Sequence, residues 1–175
     1  MPIEGLYVDQ NRDGIINQND LVKNKSPYPA WTLGFSNSVS YQKLTLNFVM
    51  RANIGNYMYN NTASGLAVTR SILNPNGFLE NAPSSILKSS FVNNQYFSNY
   101  YLENASFLRM DNIGLSYNYG SLSKNEKYNL KISLNCQNVF VITKYTGIDP
   151  EIYGGIDNNF YPRPRIFTLG LNLSL

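Results

Sequence analysis

The residues whose types and spacing could do chemistry lie near the start of the chain. Asp9-Gln10-Asn11-Arg12-Asp13-Gly14-Ile15-Ile16-Asn17-Gln18-Asn19-Asp20 places oxygen-bearing side chains at alternate positions, then a glycine, then a closing carboxylate. Calcium is a hard cation that takes carboxylate and carbonyl oxygens, and this order of residues fits the twelve-residue calcium loop. Asp9, Asn11 and Asp13 would give side-chain oxygens. Ile15 would give its backbone carbonyl, Asn17 a direct or water-mediated ligand, and Asp20 the last carboxylate. Gly14 permits the sharp turn. Two features depart from the pattern: the closing residue is Asp where a bidentate Glu is usual, and no amphipathic helix precedes the loop. The same residues also suit an Asn/Asp-Gly turn held by side-chain hydrogen bonds. Calcium is the one cofactor these residues suggest.

Catalytic chemistry finds little to work with. The chain has no histidine, and its single cysteine, Cys136, has the apolar parity of a strand and reads as a small hydrophobe. There is no G-x-S-x-G and no phosphate-binding loop. Asp149, Glu151 and Asp157 read as solvated loop charges rather than a catalytic pair, because nothing fixes their separation. No catalytic residue is assigned and the chain is not expected to be an enzyme. The loops do hold aromatic residues among amides: Tyr96, Phe97, Tyr100 and Tyr101, then Tyr145, Tyr153, Phe160 and Tyr161. Such rings can stack on sugars or pack on a partner, and Tyr145, Tyr153, Phe160 and Tyr161 are the ligand-binding candidates. They can equally pack the loops together. The net charge of +3 is too mild and scattered for nucleic acid.

The elements that must position these loops are strands. Phe167, Leu169, Leu171, Leu173 and Leu175 alternate with Thr168, Gly170, Asn172 and Ser174, which puts one apolar and one polar face on a strand. Trp31, Leu33, Phe35, Val39 and Tyr41 do the same against Thr32, Gly34, Ser36, Ser38 and Ser40. After a tight turn at Gln42-Lys43 come Leu44, Leu46, Phe48, Met50, Ala52 and Ile54. Ile113, Leu115, Tyr117 and Tyr119 form a third ladder. Tyr128, Leu130, Ile132, Leu134 and Cys136 form a fourth beyond a modest turn at Gly120–Lys127. Residues 1–30 are loop-like. The Asn-, Ser- and Pro-rich stretch from Tyr59 to Ala105 alternates poorly, with a short helix expected around Ser84–Val92. Thr143 to Pro164 is a loop.

Five antiparallel strands thus alternate short connections with long ones, the pattern of an all-β transmembrane barrel with short periplasmic turns and long extracellular loops. Charged residues are only 14% of the chain, against about 25% in soluble domains. Mean hydropathy is −0.29, which suits alternating strands, and no apolar run is long enough for a spanning helix. Tyr41, Tyr117, Tyr119 and Tyr128 lie beside the short turns, and Trp31, Phe35, Phe140 and Phe167 near the long loops. Two such girdles are what a bilayer selects. Arg51 and Lys131 have the polar parity of a wet lumen. Arg109 and Asp111 have apolar parity, at the loop end of their strand. The orientation places segments 1–30, 59–106 and 143–164 outside the cell. The alternative is a soluble, calcium-binding β-sheet module for adhesion or assembly, with Leu169, Leu171 and Leu173 buried in its own fold.

Several segments carry a resemblance. They are Tyr7-Val8-Asp9 through Asp20, Ser106-Phe107-Leu108-Arg109-Met110-Asp111-Asn112-Ile113, and Asn135-Cys136-Gln137-Asn138-Val139-Phe140. The most specific is Thr143-Lys144-Tyr145-Thr146-Gly147-Ile148-Asp149-Pro150-Glu151, followed by Gly155-Ile156-Asp157 and Phe160-Tyr161-Pro162-Arg163-Pro164-Arg165. In order and over nearly the whole chain, they resemble the C-terminal barrel portion of SusC/RagA-type TonB-linked outer-membrane proteins of Bacteroidetes. The resemblance implies about five strands of a 22-stranded barrel in the outer membrane. It also implies TonB-dependent import of a large nutrient, an oligosaccharide or peptide cargo, with a SusD-like surface lipoprotein as lid and the TonB complex as partner. Met1-Pro2-Ile3-Glu4-Gly5 lacks the features of a secretory signal, and the plug domain of the family is not in the sequence. The expectation is therefore a piece of a longer transporter, not transport-competent alone. The last residue is Leu175, where such strands often end in Phe.

Overall fold

A computed structural model of the chain describes residues 2–72, 81–121, 128–158 and 160–174. Its strands in chain order are β1 (Trp31–Tyr41), β2 (Leu44–Ile54), β3 (Tyr57–Tyr59), β4 (Leu102–Asn104), β5 (Phe107–Ser121), β6 (Asn129–Thr143) and β7 (Ile166–Ser174). Three short helices are α1 (Asn61–Leu66), α2 (Thr69–Ile72) and α3 (Ile86–Ser89). No helix among the described residues is long and apolar enough to cross a membrane. The chain divides into two compact units, each assembled from three stretches of sequence.

The first unit comprises Pro29–Gly55, Ser106–Lys144 and Pro162–Leu175, and it is an antiparallel sheet in the order β1-β2-β5-β6-β7. Alternation in sequence becomes rows across the sheet. Val39, Leu46, Leu115, Leu134 and Leu169 stand in one row, paired strand to strand. The next row but on the other face is Ser38, Asn47, Gly114, Asn135 and Thr168, also in register. None of the described residues covers the leucines of β7 on the apolar face: Leu169 is 70% exposed, Leu171 71% and Leu173 57%. A soluble module needs these leucines buried, and here they are not. The turn at Gln42-Lys43 is as expected, with Gln42 at a positive φ of 52° that a two-residue hairpin favours. Most of the expected turn at Gly120–Lys127, and Leu175 itself, lie outside the described residues.

One expectation fails within this sheet. Arg109 and Asp111 have the parity of Ile113 by simple counting, but β5 carries a bulge. Val49 pairs with Asn112 while Met50 pairs with Met110, so Asp111 is an extra residue in β5. An inserted residue reverses the faces of everything before it. Met110 and Leu108 therefore join the apolar rows, opposite Met50 and Ala52, and Arg109 stands opposite Arg51 on the polar face. A second irregularity between Asn118 and Gly120 likewise leaves Tyr119 outside the regular pairing with β6.

The second unit comprises Met1–Tyr28, Asn56–Ala105 and Tyr145–Tyr161. These are the three segments expected to form long loops, and they fold with one another. Two small apolar clusters hold them: Met58, Ala105 and Tyr145, with Ile152 against them, and Val68, Phe91 and Tyr101, with Tyr59 and Ala63. β3 pairs with β4, and Tyr59 bridges to Ile156. Asn60 caps α1 by accepting from the Ala63 N–H at 2.9 Å, the ordinary work of an Asn at this position. The helix expected around Ser84–Val92 is found as α3, ended by Ser90 at a positive φ of 57°.

Candidate functional site

The Asp9–Asp20 segment forms a tight loop closed by its own polar side chains. Asp9 accepts from the backbone N–H groups of Arg12 and Gly14 at 2.6 and 2.8 Å. Asn11 accepts from Asp13 N–H at 3.0 Å, and Asp13 from Ile15 N–H at 2.8 Å. Asp20 accepts from Gln10 N–H and Asn17 N–H, both at 2.8 Å, which ties the first residues of the loop to the last. Those bonds hold the Asp20 carboxyl below its ordinary range, because N–H donors favour the charged form. Asn17 accepts from Asn19 N–H at 2.8 Å and donates to the Ile15 carbonyl at 3.4 Å. The six residues named from sequence thus lie in one short loop, and every one is bonded within it. Each carboxylate oxygen accepts more than one bond, so these contacts leave acceptor capacity for a hard cation. The described residues hold no group of three or more His, Cys, Asp or Glu side chains placed to share a metal. A loop of this kind draws instead on amide and carbonyl oxygens for part of its ligand set.

The loop aromatics separate into two kinds. Tyr145 is buried, packed in the Met58 and Ala105 cluster, and its hydroxyl donates to Asp157 at 2.6 Å. Burial and the neighbouring Asp157 carboxylate both push the Tyr145 phenol far above its usual range. Gly147 makes room for that ring: a Cβ there would lie 2.4 Å from the ring carbon Cε1. Tyr153 and Tyr161, by contrast, are almost fully exposed, and Phe160 is half exposed. The four are not one surface. Asp149 and Asp157 are buried rather than solvated as expected. Asp149 accepts from Glu151 N–H at 2.9 Å, and Asp157 bonds Tyr145 and, more loosely, Thr62. Their burial is compensated by these bonds, and both carboxylates brace the loops. Glu103 does similar work, accepting from the Thr146 N–H and hydroxyl, each at 2.7 Å.

The β5 bulge builds a polar cluster on the sheet that counting did not foresee. Arg51 makes a two-pronged ion pair with Asp111, one arm at 2.9 Å. Arg109 is 2% exposed and donates to Asn138 at 2.9 Å, and Asn138 donates onward to the Arg163 carbonyl at 2.7 Å. Asn138 takes a positive φ of 51°, which Asn tolerates better than most residues. Two arginines directly across a strand pair repel; the bulged Asp111 pairs with Arg51, and Asn138 accepts from Arg109. The residue types were visible in sequence, but only the broken register brings them together.

A cavity of about 530 Å³ lies in the loop unit, bordered by residues 6–24 and 96–102 together with Tyr59. Neither edge shows a period in sequence that would have flagged it.

No family model matches the chain. It is 35% identical over 177 residues to the TonB-dependent receptor SusC of Bacteroides thetaiotaomicron, a match that covers 98% of this chain and 18% of that protein. The chain is homologous to the SusC family of TonB-dependent receptors. Its strands agree: the RagAB peptide transporter superposes with a TM-score of 0.66 at 28% identity, over 85% of this chain and 17% of that one. The TonB-dependent receptor P26 of Formosa agariphila is 29% identical over 96% of this chain and 19% of its own length. The chain thus spans less than a fifth of the length of these relatives. The antiparallel sheet, exposed on its apolar face, has the fold of the matching stretch of the RagAB transporter.

Proposed function

We propose that the sheet spans the outer membrane as part of the wall of a TonB-dependent nutrient transporter, with the three loop segments on the extracellular side. The observation that carries this is the continuous apolar face across β1, β2, β5, β6 and β7, with leucines more than half exposed on β7. In water such a face is a liability, while in lipid it is the required surface. Trp31 and Tyr41 stand at opposite ends of β1, ten residues apart and exposed. That is about 34 Å along a strand, or about 24 Å of height at a ~45° tilt, the height of a barrel's apolar band. The polar face of Ser, Thr, Asn and Gly then lines a wet interior.

On this reading the parent protein imports an oligosaccharide or peptide, works with a SusD-like surface lipoprotein and is driven through TonB. The chain alone does not transport, and it is a wall rather than an enzyme. Support comes from the homologues, which are TonB-dependent receptors, and from the similar RagAB structures, which are of a peptide importer. The Asp9–Asp20 loop is proposed to bind calcium on the strength of its residue order and its remaining acceptor capacity. Titration calorimetry of the parent protein against Asp13→Ala tests that, and absence of calcium heat in the unaltered protein ends it.

The wall reading is tested by nitroxide labels at Leu171 and Asn172 of the full-length protein in bilayers. Oxygen, which concentrates in lipid, is expected to relax the label at 171, and a water-soluble nickel chelate the label at 172. Equal access of the nickel chelate to both would refute a lipid-facing sheet.

A further inference from the structure

The loop unit holds one stretch that is fastened only at its ends. At the near end, the Glu4 carboxylate accepts from the Val92 and Asn93 N–H groups at 2.8 and 2.9 Å and from the Asn93 side-chain amide at 2.8 Å. Gly5 N–H donates to the Gln95 side chain at 2.6 Å, and the Tyr7 hydroxyl donates to the Tyr96 carbonyl at 3.0 Å. At the far end, the Ser26 carbonyl accepts from Tyr57 N–H at 2.9 Å, and the Lys25 ammonium lies 5.2 Å from the centre of the Tyr57 ring. Between these anchors, every hydrogen bond that residues 8–24 make among the described residues ends within the stretch itself. The Asp20 carboxylate ties Gln10 to Asn17, and a 3-10 turn over Gln18–Asp20 closes the loop. Residues 8–24 are thus a preformed body on two anchors, the build of a segment that moves as a unit.

This body borders the cavity of about 530 Å³. Val8, Leu21 and Val22 line the cavity from the body, and Tyr96 and Phe97 line it from the 96–102 side. All five are more than half exposed. Apolar surfaces that face each other across water are driven together. The 96–102 side is fixed. Phe97 N–H donates to the Tyr59 hydroxyl at 3.1 Å, and that hydroxyl bonds Ser64 at 2.9 Å. Ser98 accepts from Tyr100 N–H at 3.2 Å, and Tyr101 is buried with Val68 and Phe91. Phe97 also sits at a positive φ of 57°, a conformation that bulky residues rarely adopt, with its ring 78% exposed. A strained backbone that holds an apolar ring in solvent points to a use for the ring. The part able to approach it is residues 8–24.

We infer that residues 8–24 are a lid that closes over this cavity and lays Val8, Leu21 and Val22 on Tyr96 and Phe97. In the structure the lid is open, and those five side chains stand in water. Closing removes their apolar surface from water. It breaks none of the hydrogen bonds that residues 8–24 make among the described residues, because those bonds travel with the lid. The lid sets when the cavity is open to solvent. The inference goes beyond the membrane-wall reading, and it needs neither a cation in the Asp9–Asp20 loop nor a cargo.

The test uses the full-length protein in detergent with EDTA, its native cysteines replaced by serine and nitroxide labels placed at Gln18→Cys and Asn99→Cys. These residues line the cavity from the lid and from the fixed side. Distance measurement between the two spins in frozen solution is expected to give two populations, one shorter than the other by several ångströms. Ammonium sulfate, which strengthens apolar burial, should enlarge the shorter population. Val22→Asp should deplete it about tenfold, because closing would then bury a charge. A control pair at Leu66→Cys and Asn99→Cys, where α1 packs on the Asn99–Tyr101 turn, should keep one narrow distance throughout. If the control pair broadens in Val22→Asp, that variant has lost its fold, and the sulfate response of the Val22 protein decides. A single lid distance as narrow as that of the control pair, or a shorter population that sulfate leaves unchanged, would overturn the proposal.

Discussion

Two tyrosines in the loop unit show how the same side chain can brace or burden a fold. Tyr145 donates to the buried carboxylate of Asp157 at 2.6 Å. Bonds to a charged group contribute about 1.5–3 kcal/mol, so Tyr145→Phe should destabilise the loop unit by about that much. Tyr101 is just as buried, but its hydroxyl finds no partner among the described residues. Tyr101→Phe removes an unsatisfied group and keeps the ring against Val68 and Phe91, so stability should stay level or rise by up to ~1 kcal/mol. Urea titrations of the two variants followed by near-ultraviolet circular dichroism compare them directly, and the opposite order would reverse the assignment of roles. The pH dependence follows from the same burial. The Tyr101 phenol is pushed up to about 12, chiefly by desolvation, against about 10 for a tyrosine in the unfolded chain. Its folded-state pKa is the higher one, so the unfolded state loses its proton first as pH rises. The stability tied to the neutral phenol is complete below pH ~10 and is lost as pH climbs through about 12. In a spectrophotometric titration, Tyr101→Phe should remove one of the late-ionising tyrosines. A titration curve unchanged near pH 12 would contradict this.

At the level of the strand, the sheet tests its own two-sidedness. Leu169 sits mid-strand in the apolar row with Leu134, and Thr168 beside it faces the polar side opposite Asn135. Leu169→Arg should cost about 2–4 kcal/mol in a bilayer, while Thr168→Arg should cost little, since lumen positions accept charge. Urea unfolding of the two variants in lipid vesicles measures the difference, and equal losses would deny that the faces differ. This asymmetry was legible in sequence because alternation has a period of two, and the rows of the sheet follow from it directly. β1 and β2 came out of the residues almost to their ends, since the turn at Gln42-Lys43 leaves no room for slip. Arg109 did not. Parity counting assumes an unbroken ladder, and the single extra residue at Asp111 reverses it. Aperiodic loops were less legible still. Nothing in the spacing of Tyr145 and Asp157 announces that they meet, because contacts between distant loop segments depend on closure that leaves no local pattern. The Asp9–Asp20 loop was readable for the opposite reason: all its bonds fall within twelve residues and follow the order of the side chains.

The arrangement of the whole chain sets the last expectation. β1 and β7 each have a single neighbour in the sheet, so each presents one row of backbone N–H and C=O groups to whatever lies beside it. In lipid those groups must be bonded, since no water is there to satisfy them, and an unclosed edge of nine to eleven residues is not tolerated. The smallest membrane barrels close with eight strands, and this sheet has five. Twist alone cannot bring β1 to β7 without opening the ladder between them. The 175-residue chain, refolded by itself in detergent, should therefore give no heat-modifiable, protease-resistant monomer on a gel. It should form oligomers or aggregates through those edges, and the loop unit, with its own two apolar clusters, should keep more of its fold than the sheet does. Co-refolding with the remaining barrel strands of its transporter should restore the heat-modifiable band, because the edges of β1 and β7 then find partners. A monomeric band from the chain alone would mean that these five strands close in some other way, and would remove the reason for assigning them to a larger barrel.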